Sequence, residues 1–212
     1  PRKSRPVYKG SNPFTGTYKR DYEGDFLCDS DTVKRMLSEQ IDENRDIRVI
    51  HGFVENDINF SSVTIYRQLF RTLKPTHIWN TLPNTDFLIK IGAMGYDRDN
   101  GNVYLTAAGL LLFGEWRSIQ EEFPNYLVDY REVNIGDSNE RWIDRVYPDG
   151  SWSGNLFDFF QIVIKKLYSG IKVPFKLEGA NRIDDSPVHE AIREALVNTL
   201  IHADYSGRIG VL

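Results

Sequence analysis

Apolar side chains at helical spacing between residues 156 and 167 constrain the fold of this chain most strongly. They recur at i, i+3, i+4, i+7, i+8 and i+11, at Leu156, Phe159, Phe160, Val163, Ile164 and Leu167. Ser153 is a favourable N-terminal residue and Gly170 a favourable C-terminal one. Because so apolar a helix face must be buried, the chain is predicted to be globular.

Shorter helices and strands are predicted on both sides of this helix. The further helices are expected at 29 or 30 to about 44, 61 or 62 to 73, 84 to about 92, 107–113 and 187–202. Extended segments are expected within 6–27 and at 48–50, 94–97, 102–105, 126–134 and 172–178. A mixture of helices with short strands predicts an α/β (α+β) fold class.

The helix of 61–73 has an apolar face that we expect to point to the core. This face consists of Ile65, Leu69, Phe70 and Leu73. The order helix, helix, hairpin from 61 to 105 is also that of a winged helix. However, the segment 86–91 in the recognition position has one basic residue and no Arg, Asn or Gln to contact base edges. We therefore expect this segment to pack.

Composition and charge exclude several classes of protein. Hydrophobic residues make up 41% and charged residues 26% of the chain, which is typical of globular proteins. No apolar stretch approaches the roughly 20 residues that a transmembrane helix needs. The single cysteine, Cys28, cannot form an internal disulfide. The sequence therefore favours a cytoplasmic protein with no membrane contact.

The net charge of −4 is unevenly distributed. The first 20 residues contain six basic and no acidic side chains, among them Arg2, Lys3, Arg5, Lys19 and Arg20. Basic side chains interleaved with aromatic ones can follow a phosphate backbone, so these five residues are candidate DNA contacts. A solvated strand is the alternative, since short basic runs are common.

Polar side chains recur every four residues along the helix predicted at 187–202. Glu190, Glu194, Asn198 and His202 therefore form one stripe, called here the polar stripe, which would suit a lined pocket. In ATP sites an Asn oxygen can ligate Mg²⁺ while a Glu one turn earlier activates water. Many solvated helix faces have the same spacing, so spacing alone leaves both interpretations open.

The run from Arg193 to Ser206, REALVNTLIHADYS, resembles the first ATP-site helix of the GHKL-type domain in a family of bacterial transcriptional regulators. These regulators have an N-terminal Schlafen-type Alba-like DNA-binding domain, and their C-terminal part is called RecG-like. Segments that resemble the same family in the same order are 5–26, 105–114, 126–131, 141–145 and 152–156.

This resemblance implies an internal fragment of a longer protein, in three parts. Residues 1–28 would end the Alba-like domain, 29–115 would form a helical middle region with a β-hairpin, and 116–212 would lead into a truncated GHKL-like α/β sandwich. Glu194 would occupy the position of the family's candidate base, and Asn198 that of its Mg²⁺ ligand. For the longer protein, the resemblance implies ATP and Mg²⁺ as cofactors and DNA as a partner. A homo-oligomer is a further expectation.

The sequence also departs from the family's pattern in one respect. The sequence contains no Asp-x-Gly-x-Gly adenine loop, so we expect this fragment to bind no ATP tightly and to have no activity. Three hypotheses follow: a segment of a DNA-binding transcriptional regulator, a fragment of a GHKL-type ATPase with Glu194 as base, and a protein-interaction module using aromatic side chains. Trp142 and Trp152 are predicted to be packing elements.

Overall fold

A computed structural model describes residues 6–21, 24–41, 46–133, 142–171, 177–178, 181–182 and 186–205. It combines helices with small antiparallel sheets, so the predicted α+β class is confirmed. The chain divides into two compact units, Pro1–Arg48 and Val49–Leu212. The three-part division into 1–28, 29–115 and 116–212 stays a prediction.

The first unit consists of a hairpin and helices. Its elements are α1 (Pro13–Gly16), β1 (Tyr18–Asp21), β2 (Gly24–Leu27) and α2 (Ser30–Ile41). Strands β1 and β2 pair antiparallel, with Tyr18 opposite Leu27. Asp29 caps α2, because its carboxylate accepts a hydrogen bond of 2.7 Å from the Thr32 amide, in agreement with the helix start predicted at 29 or 30. Cys28 and Val33 are buried in this unit.

The second unit has six helices and six short strands within its described residues. The helices are α3 (Phe60–Leu73), α4 (Asn84–Lys90), α5 (Ala107–Phe113), α6 (Trp116–Glu122), α7 (Leu156–Ser169) and α8 (Pro187–Ile201). The strands are β3 (Met94–Tyr96), β4 (Val103–Leu105), β5 (Tyr130–Glu132), β6 (Asp144–Val146), β7 (Leu177–Glu178) and β8 (Asn181–Arg182). They form three two-stranded antiparallel sheets, each from consecutive strands.

Helix α5 lies at the centre of the second unit. Leu110 and Phe113 are completely buried, and α7 packs against this helix. Gly109 allows a close approach, because a Cβ added there would lie 1.8 Å from the Ala93 carbonyl oxygen. Thr106 caps α5, accepting a hydrogen bond of 3.0 Å from the Gly109 amide, in agreement with the helix predicted at 107–113.

Several predicted boundaries are confirmed and others shift. The β3–β4 hairpin and α8, which begins at Pro187, form as predicted. Helix α7 ends at Gly170 as predicted, but Asn155 caps it in place of Ser153. Strand β5 covers only part of the predicted strand 126–134, and residues 172–176 of another lie outside the described residues.

The predicted core face of α3 is wrong for three of its four residues; Phe70, the fourth, is half-buried and packs on the buried Phe87. Ile65, Leu69 and Leu73 are 44%, 41% and 80% exposed, whereas Ser62 and Val63 are buried. The rotation of the helix follows from polar contacts to α7.

Ser62 makes these contacts through its hydroxyl group. Its Oγ donates to Asp158 at 2.8 Å and accepts from Asn155 Nδ2 at 3.0 Å. Burying these polar groups without partners would be costly, so the bonds fix which side of α3 faces inward. The predicted packing role of 86–91 is confirmed, since Phe87 and Leu88 are buried.

Candidate functional site

Helix α8, which carries the polar stripe, is attached to the second unit through one side. Leu200 is buried, and Leu196 packs against the core cluster. At the N-terminal end, the Ser186 amide donates to Nδ1 of the buried His189 at 3.3 Å. The Tyr168 hydroxyl donates to the His189 carbonyl at 3.1 Å. These contacts fix the rotation of α8 about its axis.

The opposite side of α8 presents the polar stripe to solvent. Glu190, Glu194, Asn198 and His202 are all exposed. Glu194 and Asn198 lie one turn apart, about 6 Å along the helix axis. Their side-chain oxygens are of the kind that Mg²⁺ prefers. The arrangement therefore offers two accessible oxygen donors on a helix whose orientation is fixed.

The candidate DNA contacts are only partly described. Lys19 and Arg20 are exposed on β1, opposite Phe26 and Asp25 of β2. Because successive side chains of a strand point to opposite faces, these two basic groups do not share a face of the hairpin. Arg2, Lys3 and Arg5 lie outside the described residues.

A charged cluster that sequence analysis did not find lies on β5 and β6. We call Asp129, Arg131, Trp142, Arg145 and Tyr147 the Asp129 cluster. The fully buried Asp129 carboxylate accepts two hydrogen bonds of 2.8 Å from Nε and Nη2 of Arg145. Arg131 Nε donates to the same carboxylate at 2.8 Å. Hydrogen bonds from Arg145 first, and from Arg131, lower the pKa of Asp129 despite its burial.

Aromatic rings complete this cluster. The Arg145 guanidinium lies 4.2 Å from the ring centroid of Tyr147 and 5.0 Å from that of Trp142. Arg131 lies 5.6 Å from the Trp142 centroid. These distances are within the range of cation–π interaction. Trp142 thus contacts both guanidinium groups, and its predicted packing against the core stays a prediction.

Trp152 is a packing element. Its Nε1 donates to the Tyr147 carbonyl at 3.0 Å, and its ring stacks on Phe159 at 6.1 Å. The predicted packing role of this residue is confirmed.

The register of β5 and β6 explains why the Asp129 carboxylate is needed to offset the charges of two arginines. Arg131 and Arg145 are directly opposite each other, and like charges in that position repel. Asp129 precedes Arg131 by two residues and therefore lies on the same side of the chain. This Asp-x-Arg spacing was the available sequence pattern, but it does not indicate the distant Arg145.

Two kinds of feature are absent from the described part of the chain. No group of three His, Cys, Asp or Glu side chains there is placed to hold a metal ion. Among the described helices, none combines the length and apolar character needed to cross a membrane.

Comparisons with known proteins show what this chain is similar to but assign it no function. Residues 34–129, less than half of the chain, match a family model described as a domain of unknown function (DUF8451). The crystal structure of the DIP2311 protein from Corynebacterium diphtheriae is similar, with a TM-score of 0.52 and 20% identity, over 92% of this chain and 35% of that one. The chain thus spans about a third of the length of this structural relative. No curated protein matches the sequence. At this identity the likeness shows the fold alone.

Proposed function

We propose that this chain belongs to a cytoplasmic, DNA-binding transcriptional regulator and links a DNA-binding module to a nucleotide-binding module. The proposal is carried by the one-turn spacing of Glu194 and Asn198 on α8; both side chains face solvent, so the described residues do not form around them the lined pocket that the sequence suggested. The inward side of the helix is held by Leu200 and His189. The resemblance of residues 193–206 to a GHKL-type ATP-site helix gives these two residues their proposed roles.

In this proposal, Asn198 would be the protein ligand of a Mg²⁺ ion that accompanies ATP. Its amide oxygen and the Glu194 carboxylate fit a hard cation, which prefers oxygen donors. Magnesium would neutralise the phosphate charge, while Glu194 would orient or activate water. Phosphates also need amide N–H donors, and the sequence has no Asp-x-Gly-x-Gly loop to supply them. Tight binding therefore requires further segments of a longer protein.

Calorimetry with ATP and Mg²⁺ tests the nucleotide part. This chain is expected to show no micromolar binding, whereas the longer protein implied by the proposal is expected to bind. Asn198→Ala in the longer protein should weaken Mg²⁺-dependent binding, and Glu190→Gln, on the same exposed side of α8, is the matched control. Equal binding by the Asn198→Ala variant and the wild type would contradict the proposal.

The alternative from another class is a GHKL-type ATPase with Glu194 as the base. Glu194→Gln in the longer protein distinguishes it from nucleotide sensing. Loss of ATP turnover with retained ATP binding would favour the ATPase. If the wild-type protein has no turnover, the sensing role is favoured.

The DNA-binding part is supported by the charge of residues 1–20 and by the exposure of Lys19 and Arg20. An electrophoretic shift assay across a salt series tests it. Neutralising Arg2, Lys3, Arg5, Lys19 and Arg20 should weaken binding and flatten its salt dependence, since each phosphate contact releases counterions. Neutralising Arg71 and Lys90, both exposed, is the control for loss of positive charge elsewhere. Unchanged binding after the first substitutions would remove the phosphate-contact role.

The third hypothesis is an interaction module built on aromatic side chains, for which exposed rings such as Phe60 and Tyr96 are available but many other rings are not. Phe87, Phe113, Tyr126 and Phe157 are buried in the second unit. Their rings contribute to the core, where no partner protein can reach them. Self-association through other surfaces stays a prediction that sedimentation analysis can test.

A further inference from the structure

Asp97, at the end of β3, has a buried carboxylate with one unsatisfied oxygen. The residue is 5% exposed. Its Oδ1 accepts a hydrogen bond of 2.9 Å from the Asp99 amide. Its Oδ2 is buried and has no hydrogen-bond partner among the described residues. Buried carboxylate oxygens are normally paired with a hydrogen-bond donor or a metal ion, so we expect a binding partner for this oxygen.

His51, whose Nδ1 lies 3.4 Å from this oxygen, belongs to a turn that is hydrogen-bonded to β4. Phe53 N donates to the Ile50 carbonyl at 3.3 Å, and Gly52 has a φ of +88°, a conformation that favours glycine. Ile50 N donates to the Leu105 carbonyl at 2.8 Å, and Leu105 N donates to the Phe53 carbonyl at 2.9 Å. His51 is thus carried by a turn with a fixed backbone.

One ring nitrogen of His51 lies close to the buried oxygen of Asp97. Its Nδ1 lies 3.4 Å from Asp97 Oδ2, while its side chain is 70% exposed. The ring packs edge-on against Tyr104, with centroids 5.6 Å apart. An ionic hydrogen bond between these atoms would be shorter, about 2.7–2.9 Å. The two groups lie within ion-pair distance when the imidazole is protonated, but no hydrogen bond joins these two atoms.

The separation of these two atoms fits two ligands of one tetrahedral metal ion. With Zn–N of about 2.0–2.1 Å and Zn–O of about 2.0–2.2 Å, tetrahedral angles place two ligand atoms roughly 3.4 Å apart. We propose that His51 Nδ1 and Asp97 Oδ2 bind a divalent transition-metal ion of the zinc class. Water or an added ligand would occupy the other positions.

The donor types favour this class of ion over others. An imidazole nitrogen suits zinc and its neighbours, whereas Mg²⁺ and Ca²⁺ prefer oxygen ligands alone. A cation would also satisfy Asp97 Oδ2 without moving the backbone of the turn. With two protein ligands the site would be weaker than a structural zinc site, and it would remain open to exchange.

Titration calorimetry with Zn²⁺ on the whole chain tests the proposal. We expect one ion per chain, and His51→Ala should weaken binding at least about tenfold, as removal of a metal-site group does. His77→Gln, which removes another imidazole from the same unit outside the polar stripe, should bind like the wild type.

His51 lies in an exposed turn, so its variant is expected to fold, and circular dichroism checks that it does. Asp97→Asn retains Oδ1 for the Asp99 amide and should also weaken Zn²⁺ binding. Absence of binding up to millimolar Zn²⁺ would overturn the proposal. Binding by His51→Ala that equals the wild type would overturn it as well.

Discussion

The polar stripe of α8 and the Asp129 cluster beside β5 and β6 both contain carboxylate side chains, but the structure gives these carboxylates different surroundings. The Asp129 carboxylate is enclosed and bonded to two arginines of its own chain. Glu194, on α8, is exposed. A charge neutralised inside the chain stabilises the fold, whereas an accessible one remains available to an external ligand. The contrast predicts that substitutions in the two regions affect stability very differently.

Removing the Asp129 carboxylate should have the largest effect. Asp129→Ala leaves Arg131 and Arg145 opposite each other without their shared anion. Because the carboxylate is fully buried but the arginines are partly exposed, we expect a cost of about 3 kcal/mol, the low end for breaking a buried pair. Urea denaturation should show this loss in the free energy of unfolding. A double-mutant cycle with Arg145→Ala should give a large coupling energy, and additive effects would show that the cluster is not a stabilising unit.

Acid should weaken the same cluster. The pKa of Asp129 is lowered in the folded protein, chiefly by the Arg145 hydrogen bond. The unfolded chain, with an ordinary Asp pKa near about 3.9, therefore takes up the proton first as the pH falls. The stabilisation is present above about pH 4 and is lost as the pH falls through the lowered pKa.

The difference in unfolding free energy between the wild type and Asp129→Asn measures this effect. It should be largest at neutral pH and shrink on acidification. A difference that stays constant down to about pH 2 would assign the effect to packing rather than charge.

The inward side of α8 should show the next largest effect. Leu200 is 7% exposed and belongs to the main core cluster. Leu200→Ala is expected to destabilise the protein by about 2 kcal/mol, at the low end for a buried leucine because the helix lies near the surface. Thermal and urea unfolding measure it. A negligible loss would mean that α8 is not anchored through this side.

The polar stripe should show the smallest effect. Glu194→Gln and Asn198→Ala are each expected to change the free energy of unfolding by less than about 0.5 kcal/mol, as exposed substitutions usually do. Urea denaturation of these two variants and of Leu200→Ala compares the outward and inward sides of α8. A loss above about 1 kcal/mol at either position would make the stripe a structural feature and remove the contrast with Asp129.

Much of the secondary structure could be predicted from the sequence, because it depends on interactions between residues close together in the chain. The caps at Asp29, Thr106 and Ser186 and the apolar spacing of α7 depend on residues within a few positions of each other. The spacing of Glu194 and Asn198 along α8 was equally predictable. The rotation of α3 was not, because the bond from Ser62 to Asp158 joins residues 96 positions apart.

The sequence by itself therefore determined the helices, the β3–β4 hairpin and the shared face of the polar stripe. Helical and strand periods are properties of the local backbone, so they can be read without knowing what lies nearby. Only the tertiary structure decided that Asp129 meets Arg145 and that His51 approaches Asp97. Such pairs depend on how separate segments pack, and the sequence spacing of two residues says nothing about their distance in space.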